Sequence, residues 1–91
     1  MNEQFCDNRC ILIVDDAEIA RDIEALFLHQ AGCMVVEAAD GDEAVQKFIE
    51  IKPVLTILDI IMPHLNGIQT LRQIKKIDPT ARVLICTAAD D

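Results

Sequence analysis

Apolar residues recur along this chain in two alternating rhythms. Cys10–Val14 (CILIV), Cys33–Ala38 (CMVVEA), Val54–Leu58 (VLTIL) and Arg82–Thr87 (RVLICT) are short, near-continuous apolar runs rich in β-branched residues. Runs of this kind suit strands buried on both faces of a sheet. Between them the spacing changes to that of a helix, with stripes at Ile19, Ile23, Leu26 and Phe27, at Ala44, Val45, Phe48 and Ile49, and at Ile68, Leu71, Ile74 and Ile77. Each stripe predicts a helix that lays one face on a core. The punctuation agrees. Gly32 closes the first helix, Asp40 with Glu43 forms a capping-box start for the second, Lys52-Pro53 stops it, and Asn66 caps the third, which runs to Asp78-Pro79.

The resulting order, βαβαβαβ, predicts an α/β domain with a parallel sheet and helices on its faces. In such a sheet the strand C-termini share one edge, and ligands bind in the crevice beyond that edge where the strand order reverses. The first polar residues after the apolar runs are Asp15-Asp16 behind the first strand, Asp59 at the third and Thr87 at the fourth. Residues distant in sequence therefore converge on one crevice. Carboxylates gathered there repel one another unless protonated or bridged by a cation, and an oxygen-only donor set suits Mg²⁺. Asp59, at the tip of the central strand, is the expected nucleophile toward a phosphoryl group, giving an acyl phosphate, and Thr87 can donate its hydroxyl to a phosphoryl oxygen. Each residue also has a plainer role: Asp16 as a helix cap, Asp59 as a turn opener, Thr87 as a β-branched strand end. The coincidence of all of them at one end of three strands favours a site.

Composition narrows the partners. Ninety-one residues, 52% hydrophobic and 26% charged, make one globular domain with a modest core and no apolar run long enough for a membrane helix. The opening MNEQFCDNRC lacks the basic and apolar regions of a secretory signal, so a cytoplasmic location and no membrane partner are expected. With 16 acidic and 8 basic residues the net charge is -8, which disfavours direct nucleic-acid binding and favours a cation or a basic protein surface. Of the four cysteines, Cys10, Cys33 and Cys86 lie in or beside apolar runs and read as small buried hydrophobes. Cys6 and Cys10 are too isolated to make a metal site.

ILIVDD at the first strand, DGDEA at the second helix, ILDIIMPHLNG around the third strand and LICTAADD at the fourth resemble the receiver domain of two-component response regulators, over nearly the whole chain. The resemblance implies a CheY-like, flavodoxin-like doubly wound parallel sheet of strand order 2-1-3-4. It implies a phosphorelay signalling role rather than enzymatic turnover, in which Asp59 accepts a phosphoryl group from a sensor histidine kinase. Asp15 and Asp16 would hold Mg²⁺ together with Asp59 and the backbone carbonyl of Ile61. Thr87 would sense the phosphoryl group, with the small Ala88 keeping space beside it. The partners implied are the kinase and an effector domain or output protein.

Against that family, residues 1–8 read as an N-terminal tail and 9–91 as a receiver domain truncated after the fourth strand, lacking the last helix–strand–helix. The family's phosphoryl-binding lysine then has no counterpart. Lys47, Lys52, Lys75 and Lys76 fall in the middle or later parts of helices, and Arg21 is the nearest plausible cation. Truncation would leave the fourth strand as an open edge and an apolar face uncovered, so self-association is expected. An alternative reading is a phosphorylation-impaired fragment serving as an interaction and dimerisation module. A phosphatase using an aspartyl phosphate is disfavoured, because Ile61 occupies the position where such enzymes carry a second aspartate. His64 and His29 read as surface residues.

Overall fold

The computed structural model describes residues 10–59, 61, 62 and 65–86. In chain order the elements are β1 (Cys10–Val14), α1 (Glu18–Gln30), β2 (Met34–Ala38), α2 (Gly41–Ile51), β3 (Leu55–Asp59), β4 (Ile61–Met62), β5 (Leu65–Asn66), α3 (Gly67–Ile77) and β6 (Val83–Cys86). The main sheet is parallel throughout, in the order β2-β1-β3-β6, which is the predicted 2-1-3-4 order with β6 as its fourth strand. An additional two-stranded ladder, β4 with β5, follows β3 directly.

Side chains alternate between two cores, as a strand period of two requires. Leu12, Val14, Ala38 and Leu58 point to the side covered by α2 and α3, where Ala44, Phe48 and Ile74 meet them. Ile11 and Ile13 point to the other side, where Ala25 of α1 packs with Cys33. Helices on both faces make the sheet doubly wound. The chain steps from β1 outward to β2 and then back across to β3, so the strand order reverses between β1 and β3.

Local chemistry explains the helix ends. Asp40 accepts a hydrogen bond from the Glu43 backbone N–H at 2.8 Å, while Glu43 accepts one from the Ala39 N–H at 2.9 Å, so the return arm of the capping box reaches one residue beyond its usual target. Asn66 caps α3 through the Gln69 N–H at 3.0 Å. Gly32, at φ 90°, ends α1 as the sequence suggested, and the N–H groups of Gly32 and Cys33 donate to the carbonyls of His29 and Leu28.

Two expectations need correction. The stripe Ile19, Ile23, Leu26 and Phe27 does not face the core: these residues are 75%, 51%, 55% and 65% exposed. Helix α1 instead turns Arg21, Ala25 and Leu28 inward, because small Ala25 permits close approach and Arg21 finds polar partners at the sheet edge. Cys33 is buried, but it is disulfide-bonded rather than a plain hydrophobe, and Cys10 and Cys86 are free and half-buried. An apolar context marks a cysteine as buried without revealing whether its sulfur is cross-linked. Cys6 lies outside the described residues.

Candidate functional site

The sheet register brings the acidic residues together. β1 and β3 pair directly, with Val14 opposite Leu58 as their last matched pair. The next residues are Asp15 and Asp59, so both leave strands that run side by side about 4.8 Å apart. Asp59 closes β3 and is in register with Cys86 of β6. Asp15 and Asp59 therefore lie at the C-terminal edge of the sheet, beside the reversal of strand order, where ligands bind in sheets of this kind.

Asp15 is held on three sides. Its N–H donates to the Ala38 carbonyl at 3.1 Å, its Oδ1 accepts from the Ala17 N–H at 2.9 Å, and its carbonyl accepts from Arg21 Nη1 at 2.7 Å. The carboxyl is buried, at 6% exposure for the residue. Asp16 and Asp59 are half-buried. The bond from the Ala17 N–H shows that Asp15 helps to organise the start of α1. Ile61 lies in β4, two residues past Asp59. Thr87, Ala88 and His64 lie outside the described residues.

The electrostatics expose a residue the sequence reading missed. Glu24, on α1, has a solvent-inaccessible Oε1 with no hydrogen-bond partner. Burial first, then the charges of Asp15 and Asp59, push its carboxyl above the ordinary carboxylate range. The Cys86 thiol is likewise raised by burial, then by Glu24, Asp59 and Asp15. Burial is the largest cause in both cases, and Asp15 and Asp59 add to it in each. Glu24 could have been found from its spacing with Arg21 and Leu28, a second face of α1, but hydrophobicity alone pointed to the opposite stripe.

Of the anticipated cations, Arg21, Lys47 and Lys75 are engaged elsewhere. Arg21 Nε lies 3.2 Å from Glu37, Lys47 Nζ donates to the Glu37 carbonyl at 2.8 Å and lies 3.1 Å from Glu43, and Lys75 Nζ donates to the Ala81 carbonyl at 2.6 Å. Among the described residues, no three His, Cys, Asp or Glu side chains close around a common point. A hard dication that needs only one or two carboxylates, a carbonyl and waters still fits this donor chemistry, and the raised carboxyl of Glu24 beside Asp15 and Asp59 is consistent with an anionic edge that such an ion would neutralise.

The response regulator receiver domain model matches residues 11–91. The chain belongs to that family. It is 44% identical over 79 residues to the chemotaxis protein CheY of Thermotoga maritima, covering 86% of this chain and 66% of the relative, so it spans just under two thirds of that protein. The receiver fold also superposes on the response regulator TrrA of Thermotoga maritima, solved in complex with Mg²⁺-BeF, with a TM-score of 0.83, 33% identity, and 90% and 71% of the two chains covered. TrrA solved with the histidine kinase ThkA matches with a TM-score of 0.82 and 32% identity over 91% and 72% of the chains. This receiver thus carries the CheY-like fold read from its sequence, within two-component signalling.

Proposed function

We propose that this receiver accepts a phosphoryl group on Asp59 from a sensor histidine kinase, in the cytoplasm, and passes the signal to an output protein or effector domain. The observation that carries the proposal is the pairing of β1 with β3, which sets Asp15 and Asp59 on adjacent strand ends at the reversal of strand order. An Asp59 carboxylate oxygen attacks phosphorus, an O–P bond forms as the donor's N–P bond breaks, and the departing imidazole keeps the electron pair and takes up a proton. Asp15, Asp16, Asp59 and the Ile61 carbonyl would hold Mg²⁺. When bound, Mg²⁺ neutralises charge on the transferring oxygens. Thr87 and Ala88 are assigned the sensing role on sequence grounds. TrrA, solved both with Mg²⁺-BeF and with its kinase ThkA, supports the metal and kinase assignments by likeness.

The second reading, an interaction module impaired in phosphorylation, draws on the engagement of Arg21, Lys47 and Lys75 elsewhere. Intact mass after incubation with Mg²⁺ and acetyl phosphate separates the two. One added phosphoryl group that is absent in Asp59→Asn and in EDTA supports the receiver. No mass gain in the unmodified chain supports the interaction module.

A further inference from the structure

Arg21 takes a different part from that of a phosphoryl-binding cation. We infer that Arg21 and Glu37 form a clamp that positions the turn carrying Asp15 and Asp16 for cation binding; this rests on the proposed role of those aspartates as Mg²⁺ ligands. The guanidinium spans two elements, with Nη1 donating to the Asp15 carbonyl at 2.7 Å and Nε to Glu37 Oε1 at 3.2 Å. Its side chain is only 15% exposed, while that of Glu37 is 35% exposed, so the guanidinium end of the pair is the buried one. A planar fork makes two directed bonds at once, which an ammonium on a flexible stem reproduces poorly.

The anchor end is itself fixed. Glu37 lies near the end of β2, its carbonyl accepts from Lys47 of α2 at 2.8 Å, and Lys47 pairs with Glu43 at 3.1 Å. Glu43 in turn accepts from the Ala39 N–H at 2.9 Å. Helix α1 therefore grips the end of β2 through Arg21, and α2 grips it from the other face through Lys47. Against this braced strand end, Asp15 is held at its N–H by the Ala38 carbonyl and at its own carbonyl by Arg21. The peptide units on both sides of Asp15 are thus fixed, while its carboxylate gives only Oδ1 to the Ala17 N–H. Groups that orient metal ligands from behind set affinity by reducing the reorganisation needed on binding.

Calorimetric titration of Mg²⁺ into the full chain, in the unmodified protein and in Arg21→Met, Arg21→Lys and Glu37→Gln, tests the clamp. The expected result is Mg²⁺ affinity about 10-fold weaker in Arg21→Met, a smaller loss in Glu37→Gln, and partial recovery in Arg21→Lys. The double variant Arg21→Met/Glu37→Gln is no weaker in Mg²⁺ affinity than Arg21→Met alone. Lower melting temperature with unchanged Mg²⁺ affinity would make Arg21 a brace of the fold only and overturn the clamp. If Arg21→Met does not fold, Glu37→Gln and Arg21→Lys decide by the same comparison. An unmodified chain that takes no Mg²⁺ overturns the receiver-site reading and the clamp together, whereas Mg²⁺ binding insensitive to the variants overturns the clamp alone.

Discussion

Glu24 places a carboxyl within the electrostatic reach of Asp15 and Asp59, and its buried Oε1 lacks a hydrogen-bond partner. Burial, then Asp15 and Asp59, hold that carboxyl above its ordinary value of 4.5, so the folded chain binds its proton more tightly than the unfolded chain. The stability linked to this proton is complete below the ordinary value and is lost as pH rises through the raised one. Glu24→Gln is therefore expected to stabilise the chain modestly at pH 7, by less than about 1 kcal/mol given solvent screening. Urea midpoints of the two proteins should converge on acidification below 4.5, and a gain independent of pH would contradict the assignment. Asp15 and Asp59 were legible in the sequence because each follows a strand buried on both faces, which fixes the first polar residue at the edge. Glu24 was not, because a charged residue within a helix reads as solvated unless the roll of the helix is known.

The helices separate what local chemistry dictates from what packing decides. Asp40 and Asn66 cap α2 and α3 as their spacing predicted, since a cap needs only neighbours in sequence. The roll of α1 was misread because it carries two candidate faces, and the polar bonds of Arg21 selected the one with less hydrophobic area. The junction of α2 with α3 is another tertiary feature. A Cβ added at Gly41 would stand 2.5 Å from Thr70 Oγ1, and a β-branched side chain in a helix has little freedom to move aside. Gly41→Ala is expected to cost roughly 1–2 kcal/mol through overpacking. Thermal denaturation of Gly41→Ala/Thr70→Ala should recover most of that loss; no recovery would mean that the backbone, not Thr70, sets the limit.

At the level of the whole molecule, the alternation of strand and helix patterns was enough to give the parallel sheet, and the register then assembled the acidic edge. The β4–β5 ladder was beyond such reading, because each of its strands has two residues and no period can be seen in so short a run. Among the described residues β6 is an edge strand, with Leu84 and Ile85 52% and 37% exposed, and α1 presents its apolar stripe to solvent. Open edges and contiguous apolar surface favour association. Sedimentation is expected to find this chain self-associated at micromolar concentration, with Leu84→Lys shifted toward monomer; a stable unmodified monomer would contradict this.

The receiver reading itself predicts an acyl phosphate at one carboxylate. Borohydride reduces such a mixed anhydride to an alcohol, converting the phosphorylated aspartate to homoserine. Peptide mapping after acetyl phosphate, Mg²⁺ and borohydride treatment is predicted to find homoserine at position 59 alone. Homoserine at position 15 or 16, or at no aspartate, would contradict the assignment of Asp59 as the acceptor.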